Sequence, residues 1–302
     1  MPITIDGRTK LAGLIGWPLD HTLSPAMHNA AYQRMGLNWA YVPLPVREGS
    51  DLLRVAAALR ALPFVGFNVT MPYKRVMLNV CDEVATAAQF AGSVNTIHVV
   101  DGRLIGYNTD GRGLVESLRD DAGFGPQGRR VVIVGTGGAA GAALVGLVLE
   151  RAAQVTVAGR NPEAAEQLVD NLSGRTRDTT VEGVELGEDL REAVESADLV
   201  VNATPLGMAA GDALPVPAEW LQPGQVVADM VYVPAVTPFM EAAAARGANV
   251  VGGLGMLVAQ GAIAIEIWNQ GIQSTAPRDV MRAAAEGALS SVSARMAAEA
   301  PA

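Results

Sequence analysis

The chain has 302 residues and very little of several things that would open other function classes. It carries one cysteine, Cys81, so an intrachain disulfide is impossible and a cysteine-based zinc site is excluded in practice. Its three histidines, His21, His28 and His98, are too scattered to suggest a metal centre. Aromatic residues make up only 5% of the chain. Basic charge is in deficit: the formal net charge is −9, which argues against a broad nucleic-acid surface. The N-terminal MPITIDGRTK lacks the apolar core of a signal peptide, and the apolar runs are broken by Gly, Pro or charge well short of a membrane span. No internal repeat or low-complexity block appears. The expectation is a cytoplasmic protein without membrane or nucleic-acid partners.

What is there is apolar and small: half the residues are hydrophobic, and 33 are glycine. This composition suits packed α/β layers, and the length allows two domains. The stretch Val131–Gly141, VVIVGTGGAAG, runs a β-branched strand into a glycine turn and then a long apolar helix pattern. Gly135, Gly137 and Ala140 form G-x-G-x-x-A, and a second strand at Val155–Ala158 completes a βαβ unit. Glycines after a strand are often only a turn. In this setting they predict a dinucleotide site, with backbone N–H groups of a helix start facing a pyrophosphate. After the second strand comes Gly159-Arg160-Asn161, where an NAD site usually has an acidic residue for the ribose. A guanidinium there can pair with a 2′-phosphate, which favours NADP. Further strands are expected at Leu199–Ala203, Val226–Met230 and Asn249–Val251.

The first 110 residues show polar clusters at the ends of apolar strands. Leu11–Gly16 leads to Thr22 and Ser24-Pro25, where Ser24 reads either as a helix N-cap with Pro25 in the first turn or, with Thr22, as a ligand hydroxyl. After strand Trp39–Val46 and helix Asp51–Leu62, strand Phe64–Val69 delivers Asn68 and Thr70, and a helix is expected to begin around Pro72. That places Lys74 in a first helical turn, where the dipole disfavours a cation. Lys74 then reads either as a solvated lysine or as one whose pKa is lowered for proton transfer. Val94–Val100 and Arg103–Tyr107 form a hairpin across Asp101-Gly102. Asn95-Thr96 and Asn108-Thr109-Asp110 flank that hairpin. Open α/β sheets bind ligands at this edge. An Ala-rich amphipathic stretch follows Thr275.

Taken together, HTLSPAMHNA, NVTMPYK, VNT, NTD, GTGGAA, ATPLGM, DMVYVPAVTP and GLGMLVAQ, in this order over about residues 10–272, resemble the shikimate dehydrogenase family. The resemblance implies an α/β protein: an N-terminal α/β substrate domain (1–110) completed by C-terminal helices (254–290). A doubly wound Rossmann-type NADP-binding domain (111–253) is inserted between them, and 291–302 is expected to be a disordered tail. It implies reversible NADPH-dependent reduction of 3-dehydroshikimate to shikimate, a step of aromatic amino-acid biosynthesis. Carried across by position, Lys74 and Asp110 are the catalytic pair, and Thr22 and Ser24 hold the substrate carboxylate. Asn68, Thr70, Asn95, Tyr232 and Gln260 take the ring hydroxyls and the face toward the nicotinamide. Gly135, Thr136, Gly137, Gly138 and Ala139 take the pyrophosphate, and Arg160 and Asn161 the 2′-phosphate. Thr204, Met208, Met230 and Gly253 complete the cofactor side, with no metal.

Two departures bear on specificity. Thr22 stands where the family usually has Ser, and Gly159-Arg160-Asn161 where it has Asn-Arg-Thr. They keep open a quinate/shikimate or aminoshikimate dehydrogenase that also uses NAD as a secondary cofactor. A non-catalytic nucleotide sensor is the remoter alternative, and it would be free to lose Lys74 and Asp110. No oligomeric state is set by the sequence; a homodimer is compatible with it.

Overall fold

Short β-branched runs make twelve strands among the described residues, which in the computed structural model are 5–172, 174, 176, 178–270 and 275–299. The chain divides into two units: Met1–Gln89 with Ser93–Thr109 and Gln260–Ala302, and Phe90–Gly92 with Asp110–Ala259.

The first unit is built on β1 (Lys10–Gly16), α1 (Ser24–Met35), β2 (Trp39–Pro45), α2 (Leu52–Arg60), β3 (Phe64–Val69), β4 (Glu83–Val84), α3 (Thr86–Ala91, which runs across the first boundary), β5 (Thr96–Val100) and β6 (Arg103–Tyr107). Its sheet has the order β2-β1-β3-β5-β6-β4. The β2-β1-β3 part is parallel, and β3-β5-β6 is antiparallel. The hairpin closes as the sequence predicts, with Asp101 at φ 49° and Gly102 at φ 75°, the two left-handed residues of a type I′ turn. Asp51 caps α2 by accepting from the backbone N–H groups of Leu53 and Arg54. Ile15, Phe64, Phe67, Val69, Ile97 and Leu104 fill the core beneath the sheet.

The second unit carries α4 (Asp110–Ala122), β7 (Arg130–Val134), α5 (Gly138–Leu149), β8 (Gln154–Ala158), α6 (Pro162–Asp170), β9 (Thr180–Val184), α7 (Glu188–Ser196), β10 (Leu199–Asn202), β11 (Val226–Asp229), α8 (Pro238–Ala245) and β12 (Asn249–Val251). Its six strands are all parallel in the order β12-β11-β10-β7-β8-β9. The chain direction of winding reverses between β7 and β10. This is the doubly wound Rossmann order, whose ligand crevice lies outside the carboxyl ends of the strands at that reversal.

Helix α9 (Gly253–Trp268) begins in the second unit and ends in the first, and α10 (Arg278–Glu299) follows. In the first unit the indole N–H of Trp268 donates to the Ile97 carbonyl at 2.9 Å. Any Cβ at Gly66 would collide with that indole and with the same carbonyl, so a residue without a side chain stands there.

Two expectations are corrected. No α-helix starts at Pro72: a cis Met71–Pro72 bond leads into successive turns and a four-residue 3-10 helix, Val76–Asn79. The tail is helical through Glu299 rather than disordered from 291, in keeping with the high helix propensity of its alanines. Residues 300–302 lie outside the described residues.

Candidate active site

In the first unit, β2, the carboxyl end of β3, the start of β5, the segment after β6 and helix α9 carry a buried hydrogen-bonded chain of polar side chains. Asn68, Asn95, Thr96, Thr109 and Gln260 are each 8% exposed or less. The Tyr41 phenol donates to Asn68 Oδ1 at 2.9 Å, and Asn68 Nδ2 donates to Thr96 Oγ1 at 3.0 Å and to the Asn95 carbonyl at 3.3 Å. Thr96 Oγ1 in turn donates to Asn95 Oδ1 at 3.0 Å, which also accepts the Thr109 backbone N–H at 2.8 Å. Asn95 Nδ2 donates to Thr109 Oγ1 at 3.0 Å and approaches Gln260 Oε1 at 3.5 Å. Buried amides and hydroxyls are costly unless paired, so a chain this complete fixes every member's orientation. Of the expected substrate residues, it brings together Asn68, Asn95 and Gln260. It also includes Thr96 and Thr109, which the sequence reading saw in their clusters without giving them a role, and Tyr41, which it passed over as an aromatic in a strand.

Thr22 and Ser24 sit at the start of α1, and the structure separates the two readings of Ser24. The N-cap position is Leu23, and no side chain makes the capping bond, so Ser24 is the first helical residue with its hydroxyl not used as a cap. Thr22 Oγ1 accepts the Ser24 backbone N–H at 3.3 Å. Lys74, half-buried, lies in the turn after Pro72, where its carbonyl accepts from the Val94 N–H at 2.8 Å. With no α-helix beginning there, the dipole argument for Lys74 loses its footing. Thr70 is likewise half-buried at the end of β3, its N–H bound to the Ile15 carbonyl at 2.8 Å.

In the second unit, Asp110 opens α4 and is 4% exposed. The nucleotide loop follows β7. Gly135 has φ 129°, and a Cβ there would lie 2.8 Å from the Ala203 carbonyl oxygen, so only glycine lets the turn pass β10. Gly137 is the N-cap of α5, no side chain caps that helix, and no carboxylate stands in its first turn. A helix start with Thr136, Gly138 and Ala139 beside it, backbone-lined and free of acidic side chains, fits a pyrophosphate.

At the end of β8, Arg160 is exposed, whereas Asn161 caps α6, its Oδ1 accepting the Ala164 N–H at 3.2 Å. The capping bond takes up Asn161 Oδ1 and makes its amide N–H groups the donors it can offer a ligand. A Cβ at Gly159 would lie 2.7 Å from the Thr136 methyl, so the missing side chain at 159 and the threonine at 136 occupy one space. Both residues of that pair matter, and only Gly159 was singled out from sequence as a departure.

The ends of β10 and β11 hold a second network that the sequence reading missed. Asn202 Nδ2 donates to Asp229 Oδ1 at 2.9 Å, and Asp229 also accepts from the Val231 N–H at 3.0 Å and from Thr237 Oγ1 at 2.6 Å. Asn202 Oδ1 accepts both the N–H and the hydroxyl of Thr204. Burial raises the Asp229 pKa, against the lowering effect of these three donors. The network anchors the loops that carry Thr204, Met208, Met230 and Tyr232. Its signal was available: two apolar strands in register, each ending in a polar residue, Asn202 opposite Asp229. Burial also raises the Tyr232 phenol. Met208 is 47% exposed, and Gly253 packs against the Met230 carbonyl. Among the described residues no cluster of His, Cys, Asp or Glu could hold a metal ion, and no helix is long and apolar enough to cross a membrane.

Comparison with known proteins identifies the family. Residues 14–97 match the shikimate dehydrogenase substrate binding domain, 121–207 the shikimate/quinate 5-dehydrogenase family, and 253–286 the shikimate 5′-dehydrogenase C-terminal domain. A shikimate dehydrogenase (NADP(+)) of Citrifermentans bemidjiense is 46% identical over 272 residues, 89% of this chain and 93% of that protein. A crystal structure of a shikimate dehydrogenase in complex with NADP+ superposes with a TM-score of 0.85 at 36% identity, covering 95% of this chain and 98% of the other. The shikimate 5-dehydrogenase of Listeria monocytogenes, solved with shikimate and NAD, gives 0.85 at 34% identity, over 94% and 98%. The chain belongs to the shikimate dehydrogenase family.

Proposed function

We propose that this protein catalyses the reversible, NADP(H)-dependent interconversion of 3-dehydroshikimate and shikimate in the aromatic amino-acid pathway, in the cytoplasm. The observation that carries the reading is the buried chain Asn68–Thr96–Asn95–Thr109–Gln260 at the strand ends of a domain that matches the family's substrate-binding model. A nucleotide fold in Rossmann order supports the cofactor half.

Bound NADP(H) supplies the hydride donor or acceptor. Oxidation of a secondary alcohol also requires the hydroxyl proton to leave, so a group must hold and move a proton at that oxygen. Lys74 and Asp110 are assigned that role: in the reductive direction the ammonium polarises the ketone and delivers the proton, and in the oxidative direction the pair receives it. Thr22 and Ser24 take the carboxylate, an assignment supported by Ser24's lack of a capping bond. Asn95, Gln260, Thr70 and Tyr232 orient the ring. Asn68 belongs to the same set, its amide held by Tyr41, Thr96 and the Asn95 carbonyl as the Asn95 amide is held by Thr96 and Thr109. The 135–139 loop holds the pyrophosphate, Arg160 the 2′-phosphate with the Asn161 amide, and Thr204, Met208, Met230 and Gly253 the nicotinamide side.

A second reading, a quinate/shikimate dehydrogenase with relaxed cofactor choice, draws on Gly159 and the Thr136 methyl beside it, and on the extra methyl of Thr22. Steady-state assays of shikimate and quinate, each with NADP and NAD, separate the two. The NADP–shikimate pair is expected to exceed the other three by tenfold or more in kcat/KM, about 1.4 kcal/mol of transition-state discrimination. Equal values with quinate or NAD favour the broader enzyme, and no turnover of either acid overturns both.

A further inference from the structure

We propose that Tyr41 is a positioning residue for the substrate site: its phenol O–H fixes the Asn68 carboxamide and, through it, the donor–acceptor sense of the chain that orients Asn95 and Gln260.

The sense of the chain can be followed atom by atom. Its inner end is set by backbone groups with no choice of role. The Thr109 N–H can only donate, so the atom it meets at 2.8 Å is the oxygen of Asn95. The Asn95 carbonyl can only accept, so the atom of Asn68 facing it is the amide nitrogen. Thr96 passes its proton to Asn95 Oδ1 and therefore accepts from Asn68 Nδ2. These bonds leave Asn68 Oδ1 buried and in need of a donor, and the Tyr41 phenol provides one at 2.9 Å. Take that O–H away, and Asn68 keeps its place only with a buried oxygen that has lost its protein donor. Rotating the amide to avoid this would turn the oxygen toward the Asn95 carbonyl and break the chain at Thr96.

Tyr41 is itself held for this task from α1. Asn29 clamps its backbone on both sides, accepting from the Tyr41 N–H at 2.8 Å and donating to its carbonyl at 3.0 Å. The His28 ring stacks on the phenol ring, with centroids 4.1 Å apart and planes inclined by 16°. The helix that presents Ser24 thus also sets the ring that locks Asn68, while Tyr41 belongs to none of the strand-end polar clusters.

The test replaces one oxygen at a time. Tyr41→Phe keeps the ring and its stacking. Tyr32→Phe is the control, because the Tyr32 hydroxyl is buried beside the same histidine and has no hydrogen-bond partner. Tyr41→Phe is expected to raise KM for shikimate about tenfold while kcat stays within threefold and KM for NADP+ within twofold; Tyr32→Phe is expected to move none of the three beyond twofold. The choice of shikimate rests on the preceding reading, so the ligand-free proteins are also compared by NMR. There the Asn68 side-chain amide is expected to exchange with solvent at least tenfold faster in Tyr41→Phe and at an unchanged rate in Tyr32→Phe. An unchanged exchange rate and KM in Tyr41→Phe, or an equal change in Tyr32→Phe, overturns the proposal. A parent protein that turns over no shikimate overturns the functional reading, and the exchange comparison still decides this one.

Discussion

Lowering the pH from 7 to 5 should cost the first unit about 2 kcal/mol of stability through a single side chain, His28. The ring is fully buried, with neither nitrogen hydrogen-bonded, against Tyr41, Tyr32 and Trp268. Burial disfavours the imidazolium and pushes the His28 pKa down to about 3. In the unfolded chain the same ring titrates near 6.5. Between these values the unfolded state binds a proton that the folded state refuses, so stability falls as the pH falls through that window and is constant above it. Linkage gives about 1.4 kcal/mol per pH unit once the pH is well below 6.5, hence about 2 kcal/mol between pH 7 and pH 5. His98 is also lowered by burial and adds loss of the same sign. Asp229 works the other way: its raised folded pKa gives stability that is present in acid and lost as the pH rises through that value. The comparison must therefore be made against His28→Phe, which keeps an aromatic ring and cannot titrate. Urea unfolding followed by tryptophan fluorescence suits the test, since three of the four tryptophans, Trp17, Trp39 and Trp268, lie in the first unit and only Trp220 lies in the second. With a slope of about 3 kcal/mol per molar, the parent midpoint should drop by about 0.7 M more than that of the variant between pH 7 and pH 5. Parallel pH profiles for parent and variant would refute the reasoning, whatever constant offset the phenylalanine brings.

Three other perturbations have expected outcomes. Lys74→Ala should reduce kcat by ~10²–10⁴, the usual worth of a proton-transfer group, with KM for shikimate changed far less; a retained kcat with raised KM counts against the role. Gly159→Ala should destabilise the second unit by about 1–3 kcal/mol through the Thr136 methyl, and the same change in a Thr136→Ala background should cost much less. Additive effects in that thermal-unfolding cycle would show that the two sites do not share one space. Thr237→Val removes both the N-cap of α8 and a 2.6 Å bond to buried Asp229, so a loss of about 1–3 kcal/mol in unfolding free energy is expected, and a loss below 0.5 kcal/mol would contradict it.

Much of the fold was legible because the strands are short, apolar and ended by glycine or polar residues. The pattern VVIVGTGG fixes β7 and the start of α5, and Asp101-Gly102 fixes the β5–β6 hairpin. Strand β9 was missed for a physical reason: Thr180–Val184 is an edge strand, half-exposed along much of its length, and lacks the apolar run that marks β7, β8 and β10. The helix expected at Pro72 failed because proline at a first helical turn is only a permissive signal. It marks where a helix can start, and here the residues after it close turns back on Thr70 and Tyr73 instead.

The site was legible in its residue types and not in its wiring. Strand-end clusters told which side chains gather at one edge, because a sheet's carboxyl ends converge there whatever the loops do. Which of those side chains bond one another depends on register. Asn68 lies opposite Thr96 in an antiparallel pair, so its amide is taken up internally; Asn95, one residue earlier on the partner chain segment, sits at the turn of the network and faces Thr109 and Gln260. A one-residue slip would exchange those roles, and nothing in the spacing of NVT and VNT distinguishes the two outcomes. The same holds for Ser24. Ser-Pro before an apolar helix signals a cap on composition alone, yet the helix begins one residue earlier than that pattern implies, and no side chain makes the capping bond. Local chemistry names the candidates in this protein, and one-residue placement decides which of them hold the scaffold and which can meet a ligand.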